Sequence, residues 1–422
     1  MRRTTTGVVA VAATAAMALT ACGGGADQSG SAGGGSLDVY LDMSQGSPVY
    51  AKMQELVAQF EEQSGTTIDL SIDGTESYEK EMKVRLASSN VPDIFSTHGW
   101  SLLRYSPFLE PLTDQPWVGD VNKGLDSAMK DQDGNIYALP IEYTVTGLSV
   151  NFDVLDEAGV DPESIKTWDD FDAACAKVLA AGKTPIATSG KGSGAGNIAD
   201  FIASGAFTAD EQKSFTDGTF LGDQWTAKVL DLVQDWTDKG YFNPDYSSAT
   251  DDDVARLFGQ GDAAFAMRQP SALQAALTLN PDANIGFIPM PSATGDKYLV
   301  GGEGVNAYGV SKDSENKQVA LDFLAFLAKP ENASALAKAT GTYSGLTTAT
   351  PDLGTLQSSY DKWVAPEQIP TNPFFDRVYL PNGIWDTMIA TTDSVITGQS
   401  TPEAATQQLA DQYQTLYSQT SK

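Results

Sequence analysis

Residues 37–72 read LDVYLDMSQGSPVYAKMQELVAQFEEQSGTTIDLSI. The first five, LDVYL, alternate and open the folded part as a strand. Over 49–63 the period changes: Val49, Met53, Leu56, Val57 and Phe60 recur at the spacing of one helix face. Gly65 stops that helix, and 67–72 return to a strand. Further out, 78–87 carry a second helical pattern and 91–95 (VPDIF) a short strand. This β-α-β-α-β order predicts a parallel sheet with crossover helices. Ligands of such sheets collect outside the carboxyl ends of the strands. The segment Thr97-His98-Gly99-Trp100 follows directly on such a strand and holds the only histidine in the chain.

Length and charge narrow the classes. At 422 residues the chain exceeds what one hydrophobic core usually supports, so two or more lobes are expected. Its 41% hydrophobic content is ample for a packed body. Twenty-six basic against 55 acidic residues give a formal charge of −29. Such a field repels nucleic acid and anionic lipid head groups, which makes both poor partners.

The first 22 residues look like an export signal. Arg2 and Arg3 precede an apolar run over 7–19 that is too short to span a bilayer comfortably. The run ends in Leu19-Thr20-Ala21-Cys22, which resembles the bacterial lipobox. That resemblance implies a signal peptide over 1–21 and lipidation of Cys22 as the mature N-terminus. Residues 23–36, GGGADQSGSAGGGS, have nothing to bury and read as a flexible tether spanning roughly 20 Å. An anchored body on a tether works outside the cell. The other cysteine, Cys175, shares a helical apolar face with Phe171, Ala174, Val178 and Leu179, the setting of an inert, buried thiol.

Along the rest of the chain, 131–139 read as a turn and strand, and 138–152 as a long extended run. Helical patterns follow over 167–181, 224–239, 252–258, 271–279, 316–328, 331–340 and 384–419. The tract 188–197, TSGKGSGAGN, reads as a mobile, Gly-rich surface loop.

Catalytic templates find little support. A single histidine excludes His-His zinc motifs, and two cysteines leave no Cys-rich metal site, so no metal and no cofactor are expected. There is no G-x-S-x-G elbow for a triad through His98. Gly190-Lys191-Gly192-Ser193 resembles a phosphate loop, but Pro185 stands where the first Gly belongs and Gly192 where Ser or Thr does. Asp131, Asp133, Asn135 and Glu142 match a calcium-loop count, yet Ile136 replaces its central Gly. What remains are aromatics beside polar groups: Trp100, Tyr105, Tyr143, Tyr241, Tyr343 and Trp385 among them. Aromatic faces with a few amides and carboxylates suit neutral sugars, whose C–H faces stack while hydroxyls hydrogen-bond.

Several landmarks, taken in order, resemble the extracellular solute-binding proteins of ABC importers, specifically the maltose-binding-protein-like, oligosaccharide-binding group of family 1. Val91-Pro92-Asp93-Ile94-Phe95 resembles its P-D-[IV] strand. Gly134-Asn135-Ile136-Tyr137-Ala138-Leu139-Pro140 resembles the hairpin leading into its first lobe crossover. Asn151-Phe152-Asp153-Val154-Leu155 with Thr167-Trp168-Asp169-Asp170-Phe171, then Gly261-Asp262-Ala263-Ala264-Phe265 and Gly301-Gly302-Glu303-Gly304, continue the pattern. The likeness runs from Leu37 essentially to the end.

The resemblance implies an α/β, two-lobed periplasmic-binding-protein-like fold of type II, each lobe a mostly parallel sheet flanked by helices. Lobe 1 would comprise 37–140 and 304–341, and lobe 2 141–303 and 342–422, with hinge crossings near 139–143, 300–304 and 341–345. It implies capture of a neutral oligosaccharide between the lobes and delivery to the transmembrane permease subunits, by a monomer held to the outer face of a Gram-positive membrane through its lipid alone. Carried over by position, the ligand residues are Thr97, His98 and Trp100, with Glu142 and Tyr143 at the first crossing. Arg268 and Gln269, Glu303, Tyr343, Asn382 and Trp385 complete the set. Where many members carry Trp after the P-D-I strand and after the double Gly, this chain has Thr97-His98-Gly99-Trp100 and Glu303, which leaves the particular sugar open. A monosaccharide, polyol or quaternary-amine osmolyte is the nearest alternative ligand, and a surface glycosidase with paired carboxylates the competing activity.

Overall fold

The helix expected at 49–63 spans Pro48–Ser64. Ser47 caps it by accepting from the Tyr50 backbone N–H at 3.3 Å, and Pro48 fits the first turn, whose N–H has no helical partner anyway. Gly65, at φ 72°, ends it in the left-handed conformation that a side chain resists. Its face of Met53, Leu56, Val57 and Phe60 is buried, each side chain contributing roughly 1.5–3 kcal/mol. The computed structural model describes residues 36–88, 90–97, 102–303, 306–350 and 352–420. His98, Trp100 and Cys22 lie outside them.

The strands are β1 (Leu37–Asp42), β2 (Ile68–Asp73), β3 (Ile94–Thr97), β4 (Leu139–Pro140), β5 (Glu142–Thr146), β6 (Leu148–Asn151) and β7 (Thr184–Ile186). Then come β8 (Ala263–Ala266), β9 (Ile285–Ile288), β10 (Leu299–Glu303), β11 (Ala307–Val310), β12 (Tyr343–Ser344) and β13 (Thr371–Pro373). They form three sheets, ordered β2-β1-β3-β11-β4, β12-β5-β10-β13 and β7-β8-β6-β9. In the first, β1 runs parallel to β2 and β3, while β11 is antiparallel to both β3 and β4. Four of its five strands therefore share a direction. In the β7-containing sheet the opposed strand is β6, antiparallel to β8 and β9. Each of these two sheets is thus mixed, with one reversed strand.

The middle sheet collects the three expected crossings. β5 pairs antiparallel with β10 on one side and with β12 on the other, bringing Val145 opposite Gly301 and Tyr143 opposite Tyr343. Gly301 is required there: a Cβ would lie 2.1 Å from the Thr144 carbonyl oxygen.

The tract at 188–197 departs from expectation. Instead of a mobile surface loop, a helix spans Gly194–Ala206, buried from Gly194 to Ser204, and Thr188 and Ser189 are buried before it. Its glycines and alanines are packing residues. They let the helix approach Trp385–Ile396, and a Cβ at Gly205 would fall 2.1 Å from the Tyr298 ring. Low side-chain volume reads as loop in one dimension and as close helix contact in three. Cys175 is fully buried on helix Trp168–Ala180, and burial pushes its thiol well above the ordinary range.

Candidate functional site

Arg268 stands two residues beyond β8 and is 7% exposed. Its Nη2 lies 2.8 Å from Asp251 Oδ1, and its Nη1 donates to Ser189 Oγ at 3.3 Å. Asp251 opens helix Asp251–Gly259, which Thr250 caps together with Asp253. Ser189 also donates to Asp251, closing a triangle of three side chains. Burial would raise the Asp251 pKa, but hydrogen bonds from Arg268 and Ser189, with the guanidinium charge, hold it below the ordinary carboxylate value.

Arg268 and Asp251 wall a cavity of about 280 Å³ with Gln269, Asn197, Arg377 and the half-buried Trp385. Asn197 is oriented by donating to the Ser193 carbonyl and hydroxyl, both at 3.0 Å. Arg377 comes from helix Phe375–Tyr379, whose Asp376 N–H donates to the buried Asp200 carboxylate at 2.9 Å. The cavity therefore offers an aromatic face, two guanidinium groups, a carboxylate and two amides. That mixture serves a neutral, hydroxyl-rich ligand, which needs donors and acceptors together.

The structure brings three of the sequence-derived candidates together here: Arg268, Gln269 and Trp385. It places the other described candidates elsewhere. Thr97 is buried at the end of β3, opposite Ala307. Tyr143 and Tyr343 line a different cavity, of about 440 Å³, with Tyr360. The Tyr343 and Tyr360 rings are 4.4 Å apart, and alternation along β5 sets Tyr143 on the opposite face from Glu142 and Thr144. Glu142 is 4% exposed, and its carboxylate accepts from Asn306 and Thr342. Asn382 is exposed in the turn before helix Trp385–Ile396. Glu303 closes β10, and its side chain lies outside the described set.

Asp251, Asn197 and Arg377 escaped the sequence reading. Asp251 is the first of three consecutive aspartates and reads as a solvated helix start; Asn197 sat inside the supposed loop. Asp131 accepts from the backbone N–H groups of Asp133 and Asn135 and from the Tyr137 hydroxyl, an Asx-type turn that consumes the would-be calcium ligand. Among the described residues no group of three or more His, Cys, Asp or Glu is arranged to hold a metal ion.

Comparison with known proteins agrees with this architecture. The model of a family described as bacterial extracellular solute-binding protein matches residues 44–334. The melibiose/raffinose/stachyose-binding protein MelE of Bacillus subtilis (strain 168) is 31% identical over 395 residues, 91% of this chain and 90% of MelE. A crystal structure of the binding protein MsmE from Bacillus subtilis, in an open conformation, has a TM-score of 0.84 at 30% identity, covering 92% of this chain and 99% of that one. A sugar transporter protein from Bacillus licheniformis, in complex with stachyose, has a TM-score of 0.74 at 27% identity, over 90% of this chain and all of the other. Two mixed α/β halves joined by a sheet of crossings define the two-lobed, type II binding fold. With the family match over residues 44–334, the chain belongs to the bacterial extracellular solute-binding proteins.

Proposed function

We propose that this protein captures a neutral oligosaccharide outside the cell, holds it between its lobes and hands it to the transmembrane subunits of an ABC-type importer. The observation that carries this reading is the cavity in which Arg268, Asp251 and Asn197 converge beside the Trp385 indole. Such a wall grips hydroxyls with donors and acceptors together and offers a sugar C–H face an aromatic ring. The ligand class follows MelE, whose name gives melibiose, raffinose and stachyose. Lobe 1 is assigned to 37–140 with 304–341, and lobe 2 to 141–303 with 342–422. The second lobe supplies the Arg268 wall, and Thr97, His98 and Trp100 supply the facing one. Cys22 carries the lipid that keeps a monomer beside its permease in a Gram-positive envelope. The site binds without turnover.

The test is calorimetry on residues 37–422 with melibiose, raffinose and stachyose, against maltotriose and sn-glycerol 3-phosphate. Saturable heat with the first three and no product accumulating over hours is the expected result. Heat with none of them, or time-dependent hydrolysis, overturns the reading.

A further inference from the structure

One buried carboxylate touches all three chain crossings. Glu142 opens β5, the first crossing. Its Oε1 accepts from both the backbone N–H and the side-chain amide of Asn306, each at 2.9 Å. Asn306 lies between β10 and β11, on the second crossing. Glu142 Oε2 accepts from the Thr342 hydroxyl at 3.1 Å, and Thr342 immediately precedes β12, the third. The backbone reinforces the joint, because Ile141 N–H donates to the Asn306 carbonyl at 2.9 Å.

Glu142, Asn306 and Thr342 all sit where the crossings leave the first sheet. β4 and β11, which flank Glu142 and Asn306 in sequence, pair with each other in that sheet. Thr342 follows helix Pro330–Thr340, which packs on helix Pro48–Ser64 of the same half. We propose that Glu142 is a positioning residue for ligand capture. It locks the crossings into one unit at the first-lobe end, so lobe rotation bends the chain beyond it, at 143–146, 300–303 and 343–345.

A buried carboxylate with three donors holds its neighbours firmly, since hydrogen bonds to charged groups are the strong ones and an orphaned buried donor is costly. Loosening the joint widens the range of lobe orientations and lowers the fraction able to close around a ligand. That fraction multiplies the intrinsic affinity of every ligand alike. A residue touching sugar would instead affect ligands unequally. This role of Glu142 presupposes the capture function proposed above.

The experiment compares wild type, Glu142→Gln and Thr342→Val. Hydrogen exchange without ligand is the first readout: the Asn306 amide is expected to exchange about tenfold faster in Glu142→Gln. Affinities for melibiose, raffinose and stachyose are then expected to fall by one common factor, about tenfold in Glu142→Gln and about threefold in Thr342→Val, which loses only the Thr342 bond. Losses that differ among the three sugars make Glu142 a contact residue and overturn the proposal. So does unchanged exchange with unchanged affinity. Should Glu142→Gln fail to fold, Thr342→Val carries the test by itself. A wild-type chain that binds none of the sugars breaks the capture reading instead, and the ligand-free exchange still decides Glu142.

Discussion

On one face of the first sheet Leu37, Val39, Leu41, Leu56 and Leu336 pack with Phe60, Phe323 and Phe326, and a smaller cluster of Tyr40, Tyr78, Phe95 and Tyr105 stands apart from them. Around the sheet holding β8, rings interlock: Trp225 contacts Phe207, Phe215, Phe220 and Phe375, while Phe171 contacts Trp236 and Phe265. The difference matters for the candidate site because the aromatic core reaches it. Phe375 packs on Trp225 and begins the short helix that presents Arg377 to the cavity. The Leu56 face of helix Pro48–Ser64 instead shares an apolar cluster with Val254, Ala255 and Phe258 of helix Asp251–Gly259, whose first residue lines the cavity. The second half is a preset wall on a ring-packed base, and the first half is a scaffold that brings its strand ends to meet it.

Three experiments try that contrast, beginning with the largest effect. Trp225→Ala is expected to cost about 4 kcal/mol in chemical unfolding and Leu56→Ala about 3 kcal/mol. Only the former is expected to weaken sugar binding as well, by about tenfold, as Phe375 and Arg377 shift. Equal effects on affinity would erase the distinction between wall and scaffold.

Arg268→Lys sharpens the description of the wall itself. Lysine keeps the charge but lacks the fork that reaches Asp251 and Ser189 together. Titration calorimetry is expected to show affinity reduced about tenfold or more, with a loss of about 1 kcal/mol in stability. Wild-type affinity would remove Arg268 from the site.

The smallest expected effect is a pH dependence. The Asp251 carboxyl is held below its ordinary value of 3.8, so its contribution to stability is complete above that value and lost as pH falls through the lower, folded value. The difference in Tm between wild type and Asp251→Asn should therefore be constant near neutrality and shrink at about pH 4 and below. A difference that shrinks on raising the pH has the wrong sign and dismisses the ion pair as its source.

Much of the fold was legible because its signals are local. The stripe Met53, Leu56, Val57 and Phe60 with Gly65 behind it marks a helix and its end, and the alternation at 37–41 and 67–72 marks strands on either side. The helix Gly194–Ala206 was not legible, because Gly194, Gly196 and Gly205 serve contacts to segments far away in the chain. The site was read in part for the same reason. Arg268, Gln269 and Trp385 stand out by type and neighbourhood, whereas Asp251 gains its role only when Arg268 arrives from 17 residues later. Glu142 shows the limit most clearly. Its residue type suggests a ligand contact, and only the positions of Asn306 and Thr342 reveal where its hydrogen bonds go.

Cys175 is the sole cysteine after residue 36, and it is sealed inside the second core with its thiol protonated. The folded domain is therefore chemically silent toward maleimide and iodoacetamide dyes. A pair of thiols installed on opposite lips of the cleft would be the only addresses such reagents find, so no wild-type residue need be removed first. Donor and acceptor fluorophores placed there would report lobe separation in single molecules, turning a packing detail into an optical ruler for capture.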